Sequence, residues 1–323
     1  MNAKEIHPEL RLTGRVTHFF FPHFNRFTLK LTAKLSGISK IRLKRKTSFK
    51  QETIQRPDGS RLRLCIYTPK EPRENVPGLL WMHGGGYALG VPEEDEGFFE
   101  PFIEKTGCVV VAPDYTLSFS KPYPAALEDC YLALLWLRDQ ATDLGVRDDQ
   151  IFIGGESAGG GLTAALAIYA RAKKEVKIAY MMPIYPMLDD RPTDTNVNND
   201  APIWNSKSND VAWQVYLGEY FKQAEIPDTA VPARCKDYCD LPPVCTYVGT
   251  IEPFYAETKT LVENLKAAGV PVFFREFPGC FHAFDISCPK STPAKEARAF
   301  LLDCFCYASK HYFKAQGQPQ TQG

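Results

Sequence analysis

The 323-residue chain is 44% apolar and balances 38 basic against 38 acidic side chains, for a formal net charge of zero. That much apolar material can bury a sizeable core, and the balanced charge removes the long-range pull toward nucleic acid of a strongly basic domain. No run approaches the roughly 18 uninterrupted apolar residues of a membrane helix, so no stable membrane insertion is expected.

In chain order, residues 1–45 come first and carry no strand pattern. Glu5, Glu9, Arg11 and Arg15 are interspersed there, and Pro22 and His23 break the apolar run at Phe19, so no secretory signal is visible. From Lys40 to Lys50 six basic residues occur without an acid between them. The stretch reads as solvated surface, with a patch for anionic lipid as the alternative.

Lys50–Gln55 and Arg61–Tyr67 read as strands joined by a turn at Pro57-Asp58-Gly59. Gly78–Met82 is a short buried strand, Cys108–Ala112 another, and Ala125–Gln140 is helical. Strand Gln150–Ile153, helix Ala158–Lys173 and strand Lys177–Ile184 follow. Strand Val244–Val248, a helix at Tyr255–Ala268, strand Val272–Glu276 and a helix at Pro293–Lys314 complete the alternation. This rhythm predicts a mostly parallel sheet wrapped by helices, a catalytic domain over 46–323.

Residues 191–230 interrupt it with polar turns and an aromatic, helical stretch from Trp204 to Phe221. Together with 1–45 this insertion is expected to form a cap over the sheet. Trp204, Trp213, Tyr216 and Phe221 are candidate pocket walls, although aromatics at helical spacing more often pack than bind. The polar tail from Ala315 is expected to be disordered.

Ten cysteines include no C-x-x-C pair, and several sit inside apolar runs. Cys235, Cys239 and Cys245 lack a neighbouring histidine and fit no structural zinc spacing. Reduced thiols, a cytoplasmic location and no bound metal are the expectations.

Gly155-Glu156-Ser157-Ala158-Gly159 carries the chemistry. A strand precedes it and an Ala- and Gly-rich helix follows, so the turn between them pushes the Ser157 hydroxyl out above the sheet. Glycines flank it because a β-carbon there would strike the neighbouring strand and helix. His83-Gly84-Gly85-Gly86 follows the Gly78–Met82 strand. Consecutive glycines let backbone N–H groups face one cavity, the requirement of an oxyanion hole. Gly85, Gly86 and Ala158 are the candidate donors. The phosphate-loop alternative is weak, since no G-x-x-x-x-G-K-[ST] occurs.

Of six histidines, at 7, 18, 23, 83, 282 and 311, only His282 follows a late strand in a turn-rich loop, where a base can reach the serine. The orienting carboxylate is expected after an intervening strand, and Glu252, at the exit of Val244–Val248, fits. Asp285, Asp189 and Asp190 compete with it.

These residues resemble the hormone-sensitive-lipase-like branch of the α/β-hydrolases. The resemblance rests on His83-Gly84-Gly85-Gly86-Tyr87, on Tyr123 to Asp129, on Gly155 to Gly160 and on Phe281-His282-Ala283-Phe284, and it spans about residues 50–312. It implies an eight-stranded, mostly parallel sheet with a helical cap, and cofactor-free hydrolysis of short- to medium-chain esters. Glu156 stands where that branch commonly has Asp, Glu252 replaces the usual Asp before proline, and Asp114 to Ser118 departs from its Tyr-Arg-Leu-Ala-Pro-Glu pattern.

The expected activity is two-step acyl transfer on a small-molecule ester by a monomer or homodimer. An amidase or peptidase with the same triad, and a binding protein that has lost the reaction, are the rivals.

Overall fold

The computed structural model describes residues 4–20, 22–36 and 46–316. Eight strands form one sheet: β1 (Ser48–Gln55), β2 (Arg61–Thr68), β3 (Val76–Met82), β4 (Val109–Pro113), β5 (Val146–Glu156), β6 (Tyr180–Ile184), β7 (Val244–Gly249) and β8 (Val272–Phe277). Their spatial order is β1-β2-β4-β3-β5-β6-β7-β8. β2 runs antiparallel to both neighbours, and every pair from β4 to β8 is parallel.

Every residue of β3, β4, β6 and β7 is buried, as parallel strands covered on both faces must be. Alternation along β3 sends Leu80 and Met82 into one core layer and Leu79 and Trp81 into the other. The first layer is closed by α4 (Ala125–Asp139) and α5 (Ala158–Lys173) through Leu127, Leu134, Leu137 and Leu162. The second is closed by the C-terminal helix (Thr292–His311) and by α3 (Glu96–Thr106), with the Phe102 and Phe305 rings stacked 4.4 Å apart.

No element is predicted between the glycine loop and Cys108, yet α3 lies there. Pro101 inside it reads as a helix breaker, but burial of Phe98, Phe99, Phe102 and Ile103 on one face overrides local propensity. The largest differences in strand starts from those the sequence suggests are at β5 and β6. β5 begins at Val146, where it pairs with Val76, and β6 begins only at Tyr180. Gln316, in the tail expected to be disordered, is held: its side chain donates to the carbonyls of Asp148 and Lys177 and accepts from the Lys177 N–H.

The N-terminal helices α1 (Arg11–Phe20) and α2 (Arg26–Ser36) meet the insertion and its helix α6 (Ser206–Leu217). The Phe24 N–H donates to Ser208 Oγ at 2.9 Å, and Asn205 Nδ2 donates to the Pro22 carbonyl at 2.6 Å. Gly14 faces Pro202 and Phe281 so closely that an added Cβ would lie 3.2 Å from each. Lys40 to Arg45, most of the basic stretch, lie outside the described residues. No helix among the described residues is long and apolar enough to cross a membrane. All ten cysteines are unpaired, with Cys239 exposed and Cys245 buried within β7.

Candidate active site

Four parallel strands deliver the candidate residues at their carboxyl ends: β3 the glycine loop, β5 Ser157, β7 Glu252 and β8 His282. That edge is where an open α/β sheet places its ligands.

Ser157 sits at φ 59°, ψ −118° between β5 and α5, a backbone state that costs a non-glycine residue on the order of 1–3 kcal/mol. Neighbouring contacts hold it there. Its N–H donates to the Ile184 carbonyl at 2.9 Å, and its own carbonyl accepts from Gly161 and Met187. A Cβ on Gly155 or Gly159 would collide with the Met82 carbonyl of β3, which is why strand and helix pack so closely here.

His282 Nε2 lies 2.8 Å from Ser157 Oγ, and His282 Nδ1 is hydrogen-bonded to Glu252 Oε2. The other Glu252 oxygen accepts from the Gly249 N–H at 2.8 Å. Burial raises the Glu252 pKa, while His282 and that N–H pull it back down. The rings of Phe254 and Tyr185 stand edge-on to the imidazole at 4.9 and 5.0 Å. Of the competing carboxylates, Asp285 accepts from the hydroxyls of Tyr185 and Tyr247, Asp189 pairs with Arg191, and Asp190 pairs with Arg234.

Gly85 and Gly86 adopt φ 106° and 59°. No acceptor among the described residues takes the N–H of Gly85, Gly86 or Ala158. Burial pushes His83 down to about 4, so its ring is neutral and its Nδ1–H donates to the Gly84 carbonyl at 2.8 Å. Tyr115, in the segment that departs from the family pattern, stacks on that ring at 4.2 Å and donates its hydroxyl to the His83 carbonyl.

Of the candidate walls, only Trp204 reaches this site. Its ring centroid is 6.5 Å from that of His282, and a Cβ on Gly86 would lie 2.6 Å from its edge. Trp213 and Tyr216 pack against Tyr87 instead. Trp213 and Phe221 also line a separate groove of about 450 Å³ beside Arg191 and Arg234.

Sequence reasoning treats Glu156 as a tolerated replacement, but its carboxyl occupies the space where a Gly84 Cβ would stand, beside the Gly84 backbone. It therefore braces the glycine loop from below. Burial, reinforced by Asp95 and Asp285, raises its pKa well above the usual carboxyl range. Glu156→Gln, which keeps an acceptor oxygen, should retain most ester turnover. Glu156→Ala empties the space beneath Gly84 and frees the loop to shift, and should lower kcat roughly tenfold or more with KM less affected. Equal rates for the two variants in steady-state assays would refute the bracing role.

Asp95 shares this buried cluster and accepts from Trp81 Nε1 at 2.7 Å. Burial lifts its pKa to about 7, whereas an unfolded aspartate releases its proton near about 4. Between those values the folded chain holds the extra proton, so this group's contribution to stability falls as pH rises through the window. Asp95→Asn keeps an acceptor for Trp81 and cannot ionise. Its melting temperature relative to the parent should climb between about pH 4 and 7 and level off above, and a pH-independent difference would contradict the assignment.

A family model described as the alpha/beta hydrolase fold matches residues 79–286. The chain is 31% identical to the carboxylesterase NlhH of Mycobacterium tuberculosis over 225 residues, 68% of this chain and 70% of that protein. A bacterial heroin esterase superposes with a TM-score of 0.86 at 27% identity, covering 96% of this chain and 99% of that one. An esterase from Pyrobaculum calidifontis gives a TM-score of 0.78 at 28% identity over 94% and 98% of the two chains.

Proposed function

We propose that this chain, which belongs to the alpha/beta hydrolase fold family and to its hormone-sensitive-lipase-like branch, is a serine carboxylesterase acting through an acyl-enzyme. The observation that carries the reading is the continuous hydrogen-bonded line from Ser157 Oγ through His282 to Glu252.

His282 Nε2 takes the Ser157 proton as the hydroxyl oxygen attacks the ester carbonyl, and Glu252 stabilises the imidazolium that forms. The tetrahedral oxyanion accepts from the N–H groups of Gly85, Gly86 and Ala158, and the amino end of α5 favours the developing charge. His282 then protonates the departing alcohol. Water enters, gives its proton to His282 and attacks the acyl carbonyl, and the collapse returns the proton to Ser157. No step calls for a cofactor or metal.

The N-terminal helices and the 191–230 insertion act as one cap, supported by their mutual hydrogen bonds, and Trp204 is its contribution to the pocket wall. Ten unpaired thiols support a reducing, cytoplasmic setting.

The test uses p-nitrophenyl esters from acetate to palmitate beside matched anilides. Turnover confined to short and medium esters supports the reading. Faster anilide cleavage would favour an amidase, and a folded protein that neither turns over nor reacts with a fluorophosphonate would favour a binding role.

A further inference from the structure

The first described helix is inverted relative to an ordinary surface helix, which hides its apolar stripe. Gly14 is the one fully buried residue of α1, while Leu12, Val16, Phe19 and Phe20 all point into solvent, with Phe19 80% exposed. α2 repeats the arrangement. Leu29 anchors it against Ala88 and Val215, and Phe27 and Leu31 project outward, Phe27 at 75% exposure.

The charge carried by this segment of the chain has one sign. Between Glu9 and Glu52 the sequence contains eleven lysines and arginines and no acidic residue, in a chain whose total charge is zero. Among the described residues, Arg15, Arg26, Lys30 and Lys34 are exposed on the two helices. Asp200, 3.7 Å from His18, is an acidic neighbour from the insertion.

We propose that α1 and α2 are a membrane-docking surface that seats on an anionic lipid bilayer. Exposed phenylalanine and leucine flanked by lysine and arginine are what an interfacial helix presents to headgroups and upper acyl chains, and each basic residue near an anionic surface adds attraction. A second copy of this chain fits less well, because a two-fold contact through this face would set its cations against one another. Contact with a bilayer would bring the cap, and the site beneath it, to amphipathic esters held in the membrane.

The test is flotation of the full chain with vesicles of phosphatidylcholine alone or mixed with phosphatidylserine, at low and raised salt. Binding should be at least about tenfold stronger to the anionic vesicles and should weaken as salt is added. Phe19→Ser with Phe27→Ser, and separately Arg15→Glu with Lys30→Glu, should each cut the bound fraction roughly tenfold at an unchanged melting temperature. The proposal is overturned by no binding to anionic vesicles, by equal binding to both kinds, or by variants that bind like the parent. A parent that dimerises without binding vesicles, and is made monomeric by the phenylalanine changes, would assign the face to a second copy and equally overturn it.

Discussion

Replacing Ser157 with alanine should lower ester turnover by roughly 10⁴-fold or more while leaving the protein folded. Oγ of Ser157 is 2.8 Å from His282 Nε2, so the hydroxyl can surrender its proton in the step in which it attacks. Alanine removes that oxygen and nothing else. The backbone contacts that hold position 157 at φ 59° run through its N–H and carbonyl, which alanine retains, and α5 still begins at the next residue. Donors at Gly85, Gly86 and Ala158 would also persist, so a small residual rate from binding and oxyanion stabilisation is expected. Substrate affinity should change little, placing the loss in kcat. The covalent step is checked separately by mass spectrometry after fluorophosphonate treatment: the parent gains one adduct on Ser157 and the variant gains none. A variant that keeps more than about a tenth of the parent's rate would mean that another nucleophile attacks.

The parts of this site that can be read from the sequence share one property: each is written in consecutive residues. The turn Gly155–Gly159 carries its own steric reason, because the same five residues make the strand end, the serine at the turn and the close approach to Met82. His83–Gly86 carries its own as well. Glu252 and His282 are reachable because each follows a strand whose periodicity is visible, and chain order ranks the carboxylates. The brace under the glycine loop has no such local signature. Glu156, Asp95 and Asp285 come from the end of β5, the short 3-10 helix before α3 and the short helix after His282, and only the folded sheet gathers them. The same limit separates Trp204 from Trp213 and Tyr216. Composition places all three in one aromatic segment, and only the packing of α6 against Tyr87 decides which ring faces the histidine. α3 is hidden for the opposite reason, a local proline signal outweighed by burial of its aromatic face.

The second large effect is expected at Glu252, where the replaced atom does not touch substrate. Its Oε2 receives the Nδ1 side of His282, and its Oε1 accepts from the Gly249 N–H. Glu252→Gln preserves the length of the side chain and an oxygen for Gly249, so the loop should stay in place. The amide then presents N–H donors to His282 Nδ1, which must become an acceptor. That tautomer places the proton on Nε2, facing Ser157, where a free lone pair is required. Turnover should fall by about 10⁴-fold with an unchanged fold. Glu252→Asp separates reach from charge. The carboxylate survives but is one methylene short, and misplacement of about 1 Å costs on the order of 10²-fold, so its rate should lie between those of the parent and the glutamine variant. Kinetics on a soluble p-nitrophenyl ester, with melting curves for each variant, give the ranking. A glutamine variant within about tenfold of the parent would remove Glu252 from the mechanism, and Asp285 could not readily replace it, because its two oxygens already accept from Tyr185 and Tyr247.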